Sequence, residues 1–400
     1  MSGNLLSPTV IQPQDARLSS RLKSSLRDFA PDPDAESLYP TGAWAINREI
    51  KVTEELRPLP YTVFITLCKL SGYKYFGREE KVAWAIPVTF KGVPFLLSHR
   101  KSGFKVSSAA PPGRGDELAA EMLARLNRAI GIADRLMEPE VKARVRAGKV
   151  TVINKYHTLR HMYRFFRDRA AAAFAAPPTS TAAPALGLEG EVALPPYESR
   201  ERATREGFYY TVAMLDAYFS LLEHVLILLL PFAGFDPARD DLVGLIGTQW
   251  GDKFKRLFDV NADQTAKRHY DALKEVKEKY RNTVSHGMFE KGGASLYFHD
   301  PEFGSVPVRL SRHPDGIHFL FTPVDEVKFA EICALLDAAE AFLKDGPARL
   351  GMKHVEEGLD SIFAGEWLDR YRAAMTSDED FDQLLEYEGY LVDQHGDMDF

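Results

Sequence analysis

The residues best suited to chemistry lie in one short segment, residues 280–287 (YRNTVSHG). Arg281 supplies a permanently charged, planar fork of donors, which suits the stabilisation of charge on a phosphate. The reference pKa of His286 lies near 6.5, so its imidazole can deprotonate a ribose 2′-OH or protonate a leaving 5′-oxygen. Asn282 lies one helical turn before His286 and can orient the imidazole or the phosphate. The segment therefore suits phosphodiester cleavage by a neighbouring 2′-OH.

The spacing of these residues limits how they can act. Arg281 and His286 are five residues apart, about 140° around one helix and about 7.5 Å along it. One helix does not easily bring both side chains onto one phosphate, whereas two copies packed about a two-fold axis can supply both to a shared groove. A structural interpretation also fits the segment. Cations are common in the last turn of a helix that ends at a glycine such as Gly287, because they favour the negative end of the helix dipole.

Four helices and one β-hairpin are predicted around this segment. Apolar residues at helical spacing predict helices over residues 203–230, 240–260, 263–286 and 323–343. Each has one apolar face, so a four-helix bundle is the economical arrangement. An insert at residues 294–322 has a β-hairpin-like pattern, with strand-like runs at 296–298, 306–310 and 318–321.

The segment matches the R-x4-H motif of the HEPN superfamily, in the form with Asn directly after Arg: Arg281, Asn282 and His286. HEPN domains are four- or five-helix bundles with this motif near the end of the third core helix, and the resemblance covers about residues 200–345. It implies a metal-independent endoribonuclease that acts on RNA as a homodimer and without a cofactor. It further implies a bacterial toxin or anti-phage (abortive infection) system, with an antitoxin or another regulatory partner.

Two observations qualify the resemblance. The β-rich insert departs from the simplest HEPN pattern, so the resemblance does not define the substrate groove. Met288 stands where HEPN proteins that pair with a nucleotidyltransferase antitoxin often carry a modified Tyr, which disfavours that pairing. Two further hypotheses are a non-catalytic interaction or nucleotide-binding module that uses the same residues for dimer packing, and a nucleic-acid-binding regulator.

Glu223 is the supporting residue that we assign to the site. It lies in the apolar run of the first bundle helix, where a lone carboxylate is costly unless it is paired. Glu223 either holds Arg281 or orients His286, or else it is partly exposed or bonded to a structural lysine. His224 beside it is expected to be a satisfied structural histidine.

A basic stretch at residues 142–169 holds nine Lys and Arg against one Asp, with four aromatic residues between them. This pattern is typical of nucleic-acid binding, and the RNA-binding candidates are Arg160, Arg164, Arg167 and, on the motif helix, Lys277. The alternative is an amphipathic helix with aromatic residues in the core and solvated charges. His157 and His161 have the spacing of metal ligands but no third ligand, so no metal site is predicted.

The first half predicts an α+β module. Residues 1–40 form a polar lead-in, and residues 41–174 carry predicted strands at 61–70, 82–90, 93–99 and 104–107, a turn at Lys91-Gly92, and helices at 115–136 and 157–174. The Ala/Pro-rich residues 175–198 predict a flexible linker and the domain boundary. The HEPN-like bundle then covers 199–346. Residues 347–400 are a C-terminal helix and an acidic tail, which has nine acidic residues from 376 onwards.

Composition bounds the function classes. The two cysteines exclude a disulfide framework and a cysteine zinc cluster, and they suit a reducing compartment. Walker A, GxGxxG, GxSxG and CxxC sequences do not occur, which disfavours ATPases, dinucleotide enzymes, serine hydrolases and zinc modules. Charged residues interrupt the apolar run 211–230, which predicts a buried helix and not a membrane span. We expect a soluble cytoplasmic protein.

Charge is divided unequally along the chain. Residues 1–175 hold 28 Lys and Arg against 17 Asp and Glu, whereas the remainder holds 22 against 40. Such asymmetry accompanies a polyanion-binding surface or an interaction tail, or simply two surfaces of opposite sign. One further hypothesis is that the first module senses a trigger or holds the nuclease silent.

Overall fold

The structure is a computed structural model, and it describes residues 13–31, 48–77, 79–108, 110–177, 182–184, 191–193, 196–281, 297–307 and 324–397. Residues 1–144 together with 386–400 form a first unit, and residues 145–385 form a second. The described residues combine a five-stranded antiparallel sheet in the first unit with a largely helical second unit. The expected combination of an α+β part with a helical part is therefore present.

The first unit is built on the sheet, whose strand order is β1-β3-β4-β5-β2. The strands are β1 (Phe29–Pro31), β2 (Arg48–Ile50), β3 (Val82–Phe90), β4 (Val93–Arg100) and β5 (Gly103–Ser108). Lys91 and Gly92 join β3 to β4, with φ of 51° and 74°, the positive values that a two-residue hairpin turn requires. The predicted turn and the strands predicted from residue 82 onwards are confirmed.

Helices cover one face of this sheet. They are α1 (Pro13–Ser25), α2 (Pro60–Phe64, continued by a wide π turn at Ile65–Lys69) and α3 (Arg114–Arg146). Met122 and Leu126 of α3 are fully buried and share a core with Ile86 and Val106 of the sheet. Helix α3 confirms the helix predicted at 115–136 and is longer at its C-terminal end.

The strand predicted at residues 61–70 is wrong, because this segment forms α2 and its π turn. Its β-branched and aromatic residues favoured a strand. Pro60 occupies the first helical turn, where its fixed φ suits a helix. Val63, Thr66 and Leu67 are fully buried, and this i, i+3, i+4 spacing has the period of a helix and not the strict alternation of a strand.

The second unit contains most of the helices. They are α4 (Tyr156–Phe174), α5 (Pro196–Leu228), α6 (Leu242–Gly247), α7 (Trp250–Leu257), α8 (Gln264–Val276, continued by a π turn at Lys277–Arg281), α9 (Glu326–Asp345), α10 (Arg349–Glu356), α11 (Gly365–Ala374) and the start of α12 (Asp378–Asp397). The long helices α4, α5, α8 and α9 contribute to one hydrophobic core. Three short antiparallel strand pairs complete the described part: β6 (Thr151–Val152) with β11 (Ser361–Ile362), β7 (Ala182–Pro184) with β8 (Glu191–Ala193), and β9 (Tyr297–Asp300) with β10 (Gly304–Pro307).

Helix α4 belongs to the second unit, so the observed division after residue 144 differs from the boundary predicted at 175–198. The rings of Tyr163 on α4 and Tyr218 on α5 lie 5.3 Å apart in the shared core. Phe174 also lies against Gly207 of α5, where an added Cβ would come within 2.6 Å of the ring. The Ala/Pro-rich segment therefore connects two helices of one unit, which composition alone does not distinguish from a domain linker.

Two other predictions in this unit change. The single helix predicted at 240–260 is wrong, because extended backbone at Thr248 and Gln249 divides it into α6 and α7. The hairpin predicted within 294–322 is confirmed in its described part by the pairing of β9 with β10, although the second strand begins earlier than predicted. The strand-like run at 318–321 lies outside the described residues.

The C-terminal residues are helical where an acidic tail was predicted. Ser377 begins α12, with its Oγ accepting the backbone N–H of Asp380 at 3.1 Å. Phe381 and Leu384 are buried, which gives this acidic segment one apolar face. The acidic residues therefore lie on a docked helix up to residue 397.

Residues 202–228 of α5 are long and apolar enough to cross a membrane by length and composition. In the most apolar part of this helix, 67% is buried inside the protein. Leu215, Leu222 and Leu226 are among the buried residues, as in the central helix of a core. Other described helices do not meet the same criterion.

Candidate functional site

Arg281 is the last described residue of the helix that the sequence assigned to the motif. Asp263 begins α8, and its Oδ1 accepts the backbone N–H groups of Thr265 and Ala266 at 2.7 and 3.2 Å. The last described residues of this helix, Lys277–Arg281, form a π turn, a widening that is frequent at functional sites. Asn282 and His286, the other two motif residues, lie outside the described residues.

Arg281 is held by Asp216 of α5. Its Nε donates to Asp216 Oδ1 at 2.7 Å, and the two side chains are 36% and 50% exposed. A charge-assisted bond of this length restrains the guanidinium, while the exposure leaves it within reach of solvent and of a polyanion. Sequence reasoning missed Asp216.

Glu223, predicted to hold Arg281 or to orient His286, bonds to two lysines among the described residues. Its carboxylate lies 2.9 Å from Lys253 Nζ and 3.8 Å from Lys277 Nζ. The Lys253 side chain is only 5% exposed, and an ammonium so deeply buried requires a carboxylate partner. Glu223 therefore has the structural lysine partner that the alternative expected, while His286 lies outside the described residues.

Lys277 faces aromatic rings as well as charge. Its Nζ lies 5.0 Å from the ring centre of Phe219 and 5.9 Å from that of Trp250, both within the range of a cation–π contact. Burial lowers the pKa of Lys277, and the charges of Arg281 and Lys253 lower it further, while Glu223 opposes them. The side chain is 15% exposed, so this RNA-binding candidate is largely covered.

We call these side chains the Arg281 cluster: Asp216, Phe219, Glu223, Trp250, Lys253, Lys277 and Arg281. Its acidic members come from α5, where Asp216 and Glu223 are seven residues apart and hence on one face. That spacing was visible in the sequence, as two carboxylates within one apolar run. It could have marked Asp216, together with Glu223, as a candidate partner of the motif arginine.

The basic helix α4 has a different environment. Arg160 Nη1 donates to Glu356 Oε1 at 3.0 Å and also bonds to the Tyr156 hydroxyl, and Arg167 forms a two-pronged ion pair with Asp337. These residues, with Tyr163, Glu340 and Lys344, form what we call the α4 ladder. Two of the three RNA-binding candidates on α4 are therefore engaged in ion pairs that join α4 to α9 and α10.

Arg164, the third candidate on α4, is exposed and forms no ion pair with the described residues. His157 and His161 are exposed on the same helix. The described residues contain no group of three or more His, Cys, Asp or Glu side chains placed to hold a metal ion.

His224 is a satisfied structural histidine, as expected. Its Nε2 accepts the backbone N–H of Lys155 at 2.9 Å, at the residue that precedes α4. Burial, and then the charge of Lys155, lower the pKa of His224. The accepting nitrogen must be unprotonated, so this bond favours the neutral ring.

Comparison of the chain with protein-family models, with curated proteins and with solved structures gave no match.

Proposed function

We propose that the protein is a metal-independent endoribonuclease of the HEPN type. The observation that carries this proposal is the position of Arg281. It lies in the π turn that continues α8, the third of four long helices that share one core, and Asp216 holds it at a partly exposed surface. The sequence then continues into Asn282 and His286 with the spacing of the HEPN motif.

The proposed reaction needs only groups from the chain and the substrate. His286 takes the proton of a ribose 2′-OH as the oxygen attacks the adjacent phosphorus, and a protonated imidazole gives a proton to the departing 5′-oxygen. The P–O bond to the 5′-oxygen breaks, which leaves a 2′,3′-cyclic phosphate and a 5′-OH. Arg281 stabilises the charge that accumulates on the phosphoryl oxygens. Asn282 orients the imidazole or the phosphate.

Asp216 is a positioning residue in this scheme. Its bond to Nε restrains the long Arg281 side chain, so less entropy is lost when the guanidinium meets a phosphate. Within one copy, Arg281 and His286 point about 140° apart around the helix axis. We therefore expect two copies of the chain to place Arg281 of one beside His286 of the other. A cytoplasmic role in toxin or anti-phage defence, under an antitoxin or other regulator, follows from the HEPN resemblance.

One observation favours a second candidate, a non-catalytic interaction or nucleotide-binding module. The ion pair between Arg281 and Asp216 joins α8 to α5, so Arg281 also has a structural use. An arginine kept only for packing should lower stability or dimerisation when it is changed. A catalytic arginine should leave both intact, because exposed ion pairs contribute less than about 1 kcal/mol.

The deciding experiment is RNA cleavage in excess EDTA by the wild type, His286→Ala and Arg281→Ala. Circular dichroism and sedimentation must first show that all three fold and associate alike. We expect the wild type alone to cleave, with cyclic-phosphate ends, and the His286 variant to lose about 10²- to 10⁴-fold in rate. Equal cleavage by all three would refute the site, and unfolding or dissociation of the Arg281 variant would favour the interaction module.

A further inference from the structure

The outer face of α1, in the first unit, carries a row of cations. Leu22 and Leu26 are buried in the core that α1 shares with the sheet, so the opposite side of the helix faces solvent. The exposed side chains between residues 17 and 27 are those of Arg17, Ser20, Arg21, Lys23, Ser24 and Arg27. We call these six side chains the α1 basic face. All six can donate hydrogen bonds, and four of them are cations.

The cations are spread along and around the helix. Arg17 and Arg21 lie one turn apart, about 6 Å along the helix axis and about 40° around it. Lys23 lies about 9 Å along the axis from Arg17, and the two serines lie between these residues around the helix. Cations so far apart on a convex surface do not converge on one small anion. Their arrangement suits an extended ligand with repeated negative charges.

The cations of the α1 basic face differ from others of the first unit in their partners. Arg17, Arg21 and Lys23 form no ion pair with the described residues. Arg27 lies 3.9 Å from Asp28, whose carboxylate also bonds to a second arginine. Five other cations of the unit each bond to a carboxylate: Arg48, Lys69, Lys91, Lys105 and Arg125. The described carboxylates therefore neutralise those five cations but not the α1 basic face.

A phosphate backbone matches this face in charge and in hydrogen bonding. Residues 1–175 hold 28 Lys and Arg against 17 Asp and Glu, so the surrounding chain is also positive. Arginine, lysine and serine side chains are typical donors to phosphate oxygens. Large apolar or aromatic side chains are not exposed between residues 17 and 27, so α1 offers no ring on which a base could stack.

An anionic membrane surface fits α1 less well than a nucleic acid does. A helix that lies on a membrane buries its apolar face among the lipids. The apolar face of α1 is already buried in the protein core through Leu22 and Leu26. Only cations and serines are left to meet a ligand, and they can contact phosphates but cannot insert into lipid.

We propose that the α1 basic face binds the phosphate backbone of RNA, without sequence preference, and so holds the substrate on the first unit. The proposal rests on the proposed function only in its choice of RNA as the polyanion. The affinity comes from counterions that the RNA releases when cations replace them. Contacts to phosphates position a nucleic acid but do not read its bases.

The test measures binding separately from cleavage. The probe is a short, fluorescein-labelled 2′-O-methyl RNA, which lacks the 2′-OH that the proposed reaction requires. Its affinity for the full chain is measured by fluorescence anisotropy from about 50 to 200 mM KCl. We expect log K to fall linearly with log salt, with a slope of roughly −2 to −3 for three or four phosphates at about −0.7 each.

Arg17→Ala/Arg21→Ala, made as a double variant, locates the binding. The slope should move towards zero by about 1.4, and the affinity at about 50 mM KCl should fall at least about 10-fold. Alanine favours the helix, so the variant should fold, which circular dichroism checks.

Lys51→Ala is the control. Lys51 is exposed and forms no ion pair with the described residues. It follows β2, which lies four strand spacings, or about 19 Å, from β1 across the sheet, whereas β1 directly follows α1. The Lys51 variant should keep the slope of the wild type.

Three results would overturn the proposal: no binding of the oligonucleotide by the wild type, an unchanged slope in the double variant, or an equal change in the Lys51 variant. Binding to vesicles that contain phosphatidylserine, with none to the oligonucleotide, would also overturn it and make α1 a membrane-surface helix. The probe cannot be cleaved, so the expected slopes would support RNA binding by α1 even if the chain cleaved no RNA. Failure of the nuclease proposal is therefore distinguishable from failure of this one.

Discussion

The α4 ladder and the Arg281 cluster are both rich in cations, and both looked from the sequence like surfaces for RNA. In the α4 ladder, Arg160 and Arg167 bond to tyrosine hydroxyls of α4 itself and to carboxylates on α9 and α10. Their side chains are only 20% and 28% exposed. In the Arg281 cluster, Arg281 pairs with an exposed aspartate and is itself 36% exposed. The two regions have similar residue types but different partners, so we expect structural effects from changes in the first and functional effects from changes in the second.

The largest expected effect concerns Arg160. Arg160→Ala removes the guanidinium between Tyr156 and Glu356 and leaves partly buried polar groups without their donor. We expect the free energy of unfolding to fall by about 2–4 kcal/mol, measured by urea denaturation. The matched control is Arg164→Ala, an exposed residue of the same helix, which should change stability by less than about 0.5 kcal/mol. If Arg160→Ala abolished RNA binding without loss of stability, the α4 ladder would have a functional and not a structural role.

Arg281→Lys tests the other region. Lysine keeps the charge but loses the planar fork that suits both Asp216 and a phosphate. We expect kcat/KM for RNA cleavage to fall about 10- to 100-fold, which corresponds to roughly 1.4–2.7 kcal/mol of transition-state stabilisation. Arg167→Lys, on the α4 ladder, should cleave like the wild type once the folded fraction is equal. Equal losses in both variants would mean that the two regions do not differ in function.

The sequence predicted local structure better than it predicted ion pairs, because ion pairs can join residues that are far apart in sequence. Two runs rich in Val, Ile, Phe and Thr, with Lys91-Gly92 between them, predicted the β3–β4 hairpin, because its register depends on neighbours in sequence. The carboxylate partners of Arg160 and Arg167 lie 196 and 170 residues away, so no local pattern indicates that these charges are paired.

For the candidate site, the sequence predicted Arg281 but not its partner. Asp216 lies 65 residues from Arg281, on a helix whose apolar run drew attention to Glu223. Which of the two carboxylates pairs with Arg281 depends on the neighbours of each one in the folded protein. Glu223 lies beside Lys253 of α7, the helix that follows the break after α6. Local spacing could have suggested both carboxylates but could not rank them.

The start of α4 should be sensitive to acid. His224 accepts from Lys155 as a neutral ring, and its pKa is lowered, first by burial. Below pH 6.5 the unfolded chain therefore binds more protons than the folded chain, until the pH falls below the folded-state pKa. The stabilisation that neutral His224 gives the folded protein is therefore fully present above pH 6.5. It is lost as the pH falls from 6.5 towards the folded-state pKa.

His224→Gln checks this pH dependence, because its amide oxygen still accepts the Lys155 N–H but does not titrate. We expect the slope of unfolding free energy against pH, between pH 5 and 7, to be smaller in the variant than in the wild type. The carboxylates of the α4 ladder also titrate in acid, so the informative quantity is the difference between the two proteins. Identical slopes would show that His224 does not couple the start of α4 to pH.

The smallest expected effect is a difference in unfolding free energy between variants of two neighbouring tyrosines, Tyr163 and Tyr218, whose ring centres lie 5.3 Å apart. Tyr163→Phe removes a hydroxyl that bonds to Arg167, and it should lower the free energy of unfolding by about 1 kcal/mol. Tyr218→Phe removes a buried hydroxyl that has no partner among the described residues, so it should leave stability unchanged or raise it by up to about 1 kcal/mol. Both values come from the same denaturation series. If Tyr218→Phe is the more destabilising of the two, the Tyr218 hydroxyl is hydrogen-bonded to a bound water. Both tyrosine hydroxyls would then be satisfied.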